Sequence, residues 1–201
     1  AAFSASNTEF RSTWVITWNY GSAGTTSKSA IRAILDRHVE ANMNAVLWQV
    51  RQSGTAYYNS SYEPWGYYVG GTSPGFDPLA FVVEEAHKRG LELHAWVNCF
   101  HTSSTVNGTP AAEHPEWVCT NQEGEFMTSR RCLSPGLPEV RDYTVDVIKE
   151  IVQNYDVDGV HLDFVRWNEY DESDMSSSLS IEDQIQVLDG HFIARKLAKG
   201  S

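Results

Sequence analysis

Parallel strands joined by crossover helices are what this sequence predicts: an α/β fold of the (β/α)8, TIM-barrel type, with about four βα units, half the full set. Three observations carry the prediction. Stretches rich in β-branched and aromatic residues alternate with stretches of helical periodicity, the pattern of right-handed βαβ units in a parallel sheet. Long segments rich in Gly, Ser, Pro and Tyr follow the second and third strands, at the ends where a barrel keeps its active site. Finally, Asp156 to Trp167 reads as a buried strand in which Val160, Leu162 and Phe164 alternate with His161, Asp163 and Val165, so a histidine and a carboxylate share one face. A doubly wound sheet shares the first observation, but no glycine-rich phosphate loop follows the first strand.

The elements follow in order, with residues 1–10 as a tail and 11–201 as a single partial-barrel domain. Arg11 to Asn19 is the first strand, on the run Trp14-Val15-Ile16-Thr17-Trp18. Ile31, Ile34, Leu35, His38 and Val39 then recur at the spacing of one helical face. Asn44 to Arg51 is the second strand. Asp77-Pro78 opens the second helix, Asp as the cap and Pro at the first helical position, and Gly90 sits where its C-terminal cap belongs. Leu91 to Asn98 is the third strand, and a loop covers about 99–137. Pro138 opens the third helix, with Val140, Thr144, Val147, Ile148, Ile151, Val152 and Tyr155 on its buried side. After the fourth strand, roughly 180–198 is helical.

Bulk properties narrow the function. A chain of 201 residues suffices for one domain with a sizeable core. Hydrophobic content of 41%, with seven Trp and nine Tyr, excludes a disordered chain and suits both core filling and stacking on sugar rings. A formal net charge of −11 argues against nucleic acid or an anionic membrane surface as partner. No apolar run approaches the roughly 20 residues that span a bilayer. The small, polar start from Ala1 to Asn7 is that of a trimmed mature N-terminus, which points to secretion. Cys119 and Cys132 flank a turn-rich stretch and either close a small loop in an exported protein, leaving Cys99 over, or do not pair. No Cys/His spacing resembles a zinc site, so no metal or other cofactor is expected. A half-barrel leaves two open strand edges, so pairing with a second copy, or an edge covered by the last helix, is expected.

The period-two rule gathers the polar side chains. In the second strand Val46, Trp48 and Val50 oppose Leu47, Gln49 and Arg51; in the third, Leu91, Leu93, Ala95 and Val97 oppose Glu92, His94, Trp96 and Asn98. Each polar set lies toward the C-terminal end of its strand, as His161 and Asp163 do in the fourth. A lone His94 or His161 is ordinarily a satisfied core residue, and Arg51 could simply neutralise Asp163. Three consecutive strands with polar faces are harder to explain by stability, since each unpaired buried polar group costs about 1–3 kcal/mol. The expected arrangement is one pocket. In it Asp163, His161 and Arg51 carry the chemistry. Gln49, His94, Trp96 and Asn98, with Tyr57 and Trp65 from the second loop and Arg166 beyond the fourth strand, bind substrate.

Several runs together resemble a known family. They are Asn44-Ala45-Val46 leading to Gln49-Val50-Arg51; Tyr62-Glu63-Pro64-Trp65; Gly75-Phe76-Asp77-Pro78-Leu79; Glu84 through Asn98; His114-Pro115-Glu116-Trp117; Leu133-Ser134-Pro135-Gly136 with Pro138-Glu139-Val140-Arg141; and Asp158-Gly159-Val160-His161-Leu162-Asp163. The chain resembles the glycosyl hydrolase-like family 10 proteins, the family 10-like glycosylhydrolases (DUF187), over about residues 11–167. The resemblance implies a secreted or envelope-associated bacterial barrel acting on polysaccharide, without naming the sugar. Two departures stand out: the family's further βα units are absent from this sequence, and residues 168–201 match no part of the pattern.

The expected function is therefore hydrolysis of a glycosidic bond in a polysaccharide or oligosaccharide, with Asp163 as acid or nucleophile. Such chemistry takes two carboxylates. The second is open between Glu63, Glu169, Asp171 and a residue on a later strand. The alternatives are a barrel fragment that binds carbohydrate without cleaving it, and a metal-assisted deacetylase using Asp163, His161 and His94, which the missing metal-ligand spacing disfavours.

Overall fold

The computed structural model describes residues 9–22, 25–103, 105–120, 125–127 and 131–166. The helix expected at 180–198, and Glu169 and Asp171, lie outside the described residues. In chain order the elements are β1 (Trp14–Val15), α1 (Thr17–Tyr20), β2 (Gly21–Ser22), β3 (Thr25–Thr26), α2 (Lys28–Glu40), β4 (Ala45–Gln52), β5 (Thr55–Ala56), α3 (Pro78–His87), β6 (Glu92–Asn98), α4 (Pro110–Glu113), α5 (Pro138–Asn154) and β7 (Gly159–Asp163). The main sheet runs β1-β4-β6-β7 with every neighbour parallel, and β5 folds back antiparallel on the end of β4.

The helices lie on one face. Ile31 and Leu35 of α2, Leu79, Val82, Val83 and Ala86 of α3, and Val140 and Ile151 of α5 form one core with Val46, Trp48, Val50, Leu93, Ala95 and Val97 of the sheet. A doubly wound sheet needs helices on both faces. Here the opposite face carries Leu47, His94, Trp96 and His161, all partly exposed. This is a four-unit piece of a (β/α)8 barrel, not closed on itself, as the alternation predicts.

Local signals explain the helix ends. Asp77 caps α3 by accepting from the Leu79 and Ala80 amides at 3.0 and 3.1 Å. At its other end Leu91 N–H reaches Ala86 O and Gly90 N–H reaches His87 O, a Schellman closure that needs the positive φ of Gly90. Ser27 caps α2.

Several expectations are corrected. The first strand is only Trp14–Val15, because the chain then turns into α1. There the Thr17 amide bonds Gln49 Oε1, and Tyr20 stacks on Trp48 at 4.5 Å with its hydroxyl donating to Gln49 O. These tertiary contacts override the β propensity of Ile16 to Trp18. Val39 and Val152, placed on buried faces by periodicity, are exposed. On α2 the inward position goes to His38, which is held by Thr13 Oγ1 and Ile34 O. The fourth strand is not fully buried. It ends the sheet order, and Leu162 on its helix-side face is 49% exposed.

Glu85 ties α2 to α3. Its buried carboxylate accepts from Arg32 Nε, Lys88 Nζ and Arg89 Nη1 at 2.9–3.0 Å. The Arg32 hydrogen bond, then those of Lys88 and Arg89, hold its pKa at about 2, below the usual 4.5. The folded state therefore gains stability from Glu85 above the unfolded value and loses it as pH falls through about 2. Thermal melts are expected to show Tm falling across the window from 4.5 to about 2, with Glu85→Gln removing that part of the slope. An unchanged slope in the variant would contradict the ion-pair network.

Candidate active site

The register of the parallel sheet stacks the non-helical face into rows. Trp14, Leu47, His94 and Gly159 are aligned across the four strands; two residues on come Gln49, Trp96 and His161; last come Asn98 and Asp163. Register partners share a face, so the last two rows put Gln49, Trp96, Asn98, His161 and Asp163 together at the C-terminal end of the sheet.

Asp163 is the best-anchored group there. Trp96 Nε1–H donates to its Oδ2 at 3.0 Å, and the Phe164 amide donates to its Oδ1 at 2.7 Å. Phe164 has φ 50°, a left-handed conformation that costs a non-glycine residue roughly 1 kcal/mol. That turn ends β7 and swings the amide back onto the carboxylate. The Asp163 carbonyl is bonded by Cys99 N–H, which pins the turn to the end of β6. Beside it, Gln49 Nε2–H donates to Asn98 Oδ1 at 3.3 Å while its own Oε1 accepts from Thr17 N–H. His161 Nε2 accepts from Trp14 Nε1–H at 3.1 Å, and its ring lies 6.3 Å from that of Trp96.

Arg51 does not join them. A register shift between Gln49 and Arg51 sets Arg51 opposite Val97, on the helix face. Its fully buried guanidinium grips Glu63 (Nε to Oε1 and Oε2 at 3.0 and 2.9 Å, Nη2 to Oε1 at 2.5 Å) and the carbonyls of Asn98 and Cys99. Tyr143 of α5 donates its hydroxyl to the same Glu63 at 3.0 Å. The ion pair considered for Arg51 thus exists, with Glu63 as partner instead of Asp163. Glu63 is correspondingly withdrawn from solvent and from the role of second carboxylate.

Other sequence-predicted residues divide. His94 sits one row lower than Trp96, over Gly159, where a Cβ would collide with its ring. It is bonded to Glu92 and edge-on to Phe10. Tyr57 is buried, edge-on to Tyr20 and packed on Gly66, so it faces core and not solvent. The cause is a two-residue hairpin, Ser53-Gly54 with φ 55° and 72°, which sends the chain back along β4. Trp65 is partly buried, its backbone bridged to Ala56. Arg166 is exposed and places its guanidinium 4.4 Å over the Phe164 ring, three residues past Asp163.

Two features escaped the sequence reading. Trp18 (51% exposed), on α1, and Tyr67 (68% exposed), on the segment after β5, are both edge-on to Tyr68. Reading Trp18 as mid-strand hid it. His101, on the loop after β6, approaches Ser53 Oγ with Nδ1 at 3.2 Å and the Phe164 ring at 5.3 Å. Among the described residues no group of three or more His, Cys, Asp or Glu could hold a metal ion, and no helix is long and apolar enough to cross a membrane.

A partial (β/α)8 barrel whose strand ends present a fixed carboxylate flanked by indole and amide groups defines a class: barrel proteins with a polar site at the C-terminal face. Comparison with known proteins narrows it. Residues 9–178 match the glycosyl hydrolase-like 10 family, and the chain belongs to that family. It is 38% identical over 177 residues to glycosyl hydrolase YngK of Bacillus subtilis, covering 79% of this chain and 33% of that protein. It is 36% identical over 147 residues to glycosyl hydrolase DigH of Escherichia coli K12, covering 64% of this chain and 32% of that protein. The chain thus spans about a third of the length of these curated relatives. In structure it resembles α-L-fucosidase isoenzyme 2 of Paenibacillus thiaminolyticus (TM-score 0.64, 17% identity, 94% of this chain, 29% of that one), a likeness of fold alone.

Proposed function

We propose that this chain is the N-terminal part of a glycoside hydrolase that cleaves a polysaccharide or oligosaccharide, with Asp163 as one of its two carboxylates. The observation that carries the reading is the double anchoring of Asp163 at the end of the fourth barrel strand, in a chain of the glycosyl hydrolase-like 10 family whose curated relatives are named glycosyl hydrolases. Both carboxylate oxygens accept N–H bonds, which orients Asp163 as a nucleophile or as a stabiliser of positive charge on the sugar. The proton for the leaving oxygen then comes from the second carboxylate. Glu63 is sequestered by Arg51, so that group comes from beyond Arg166 or from further βα units. Trp96 borders the scissile sugar, with His161 held beside it by Trp14, while Gln49 and Asn98, both buried and bonded to each other, support the floor of the site instead of touching the sugar. The resemblance to envelope-associated proteins extends the proposal to action outside the cytoplasm, on cell-surface glycan.

The test is release of reducing ends from cell-wall and storage polysaccharides by the full-length protein. Binding of such glycans with no product from any of them would favour a non-catalytic carbohydrate-binding barrel.

Trp18 and Tyr67 are assigned to more distant sugar units, since their exposed faces can stack on pyranose rings. Stacking of this kind contributes about 1 kcal/mol per ring. The Trp18→Ala/Tyr67→Ala variant is expected to raise KM on long substrates roughly thirtyfold, with kcat nearly constant. Equal kinetics on long and short oligosaccharides in wild type and variant would remove the platform.

A further inference from the structure

The loop between β6 and α5 contains a small antiparallel sheet of its own. Segment 131–134 pairs on one side with residues 100–102, through Leu133 N–H to Phe100 O and Thr102 N–H to Arg131 O. On the other side it pairs with 117–119, through Cys119 N–H to Cys132 O at 2.9 Å and Ser134 N–H to Trp117 O at 2.7 Å. Val118 is bridged to Leu133, so Cys119 stands directly opposite Cys132.

We propose that Cys119 and Cys132 form a disulfide in an oxidising compartment, stapling the β6–α5 loop to the site end of the barrel. Directly opposed residues joined by a ladder hydrogen bond have Cα atoms about 5.5 Å apart, the span most disulfides occupy. Cys99 is no competitor, since its thiol points at Val97 O at the end of β6. The staple acts where the loop meets the site: Cys132 is bridged to His101, and its sulfur lies 3.4 Å from the carbonyl of Arg166.

The chemistry is thiol–disulfide exchange with a disulfide oxidant, either glutathione disulfide or a thiol oxidase. The thiolate of Cys119 attacks one oxidant sulfur and expels the other as a thiolate. Cys132 then attacks the Cys119 sulfur of the mixed disulfide and expels the second. Two electrons pass from the cysteine pair to the oxidant, and the two protons of the cysteine thiols end on the two thiols released. Both sulfurs are buried in the folded protein, and the neighbouring Cys119 thiol together with burial pushes the Cys132 thiol well up. Exchange therefore belongs to folding, before the loop closes, and the finished bond is shielded from reductant.

The experiment refolds the full-length protein in a mixture of reduced and oxidised glutathione, blocks remaining thiols with iodoacetamide in denaturant, and maps peptides by mass spectrometry. The expected result is one linked pair, Cys119 with Cys132, and an alkylated Cys99. Alkylation of both Cys119 and Cys132, or linkage of either to Cys99 or to another chain, overturns the proposal. A bond closing a loop of this size predicts a Tm roughly 5–10 °C higher in the oxidised protein than after reduction. Cys132→Ser should melt like the reduced wild type and ignore dithiothreitol. A Tm in that variant that still falls on reduction would place the stabilising bond elsewhere.

Discussion

Asp163→Asn in the full-length protein is expected to lower kcat for glycan cleavage by at least about a thousandfold, the scale of removing a preorganised charge or nucleophile from a reacting centre. The fold should tolerate the change. Asn keeps one acceptor oxygen for the Trp96 indole or the Phe164 amide and forfeits the other bond, a loss of about 1 kcal/mol. Activity and stability therefore separate, which distinguishes a chemical role from a structural one. A finer variant sharpens the point: Trp96→Phe keeps the ring, removes the N–H on Oδ2, and should cost about tenfold in kcat with little change in KM. Initial rates of reducing-end release measure both. Wild-type kcat in Asp163→Asn would remove this carboxylate from the mechanism.

Glu63→Gln and Arg51→Met should each destabilise the protein by about 3–5 kcal/mol, because each leaves an ion or its hydrogen-bond partners stranded in a dry environment. Neither side chain of the pair has more than a trace of exposure, so water cannot substitute for the missing partner. For a chain of this size the loss corresponds to a Tm drop of roughly 6–20 °C. Glu63→Gln keeps shape and hydrogen-bonding capacity but strands the Arg51 charge, so it isolates the electrostatic part. The double variant Arg51→Met/Glu63→Leu should recover much of the loss, since an apolar pair of similar volume avoids burying charge. Urea titrations of wild type, Arg51→Met, Glu63→Leu and the double variant close the cycle, with Glu63→Gln measured beside them. Singles within about 1 kcal/mol of wild type would mean that the pair is not load-carrying in the fold.

How much was legible in the sequence follows from how local each signal is. The ends of α3 are written in Asp77-Pro78 and Gly90, each within a turn of the group it satisfies. Alternation in β6 and β7 places Trp96, Asn98, His161 and Asp163 correctly, because neither strand is interrupted. Arg51 was misplaced because one irregularity in β4 defeats period-two counting, and because its partner lies 12 residues on in a loop with no periodicity. Tyr57 was misread for a related reason, although Ser53-Gly54 is a dipeptide that favours a tight reversal and could have signalled it. The shortened first strand and the exposure of Trp18 depend on Gln49 and Trp48, about 30 residues away, and no local pattern reports them.

The register shift in β4 decides where positive charge sits at the strand ends. Pairing carried on without interruption from Gln49 opposite Trp96 would set Arg51 opposite Asn98, in the row of Asp163. The one extra residue in β4 sets it opposite Val97 instead, on the helix face, where Glu63 takes up its guanidinium. One residue of slack thus keeps a permanent cation away from the Asp163 carboxylate.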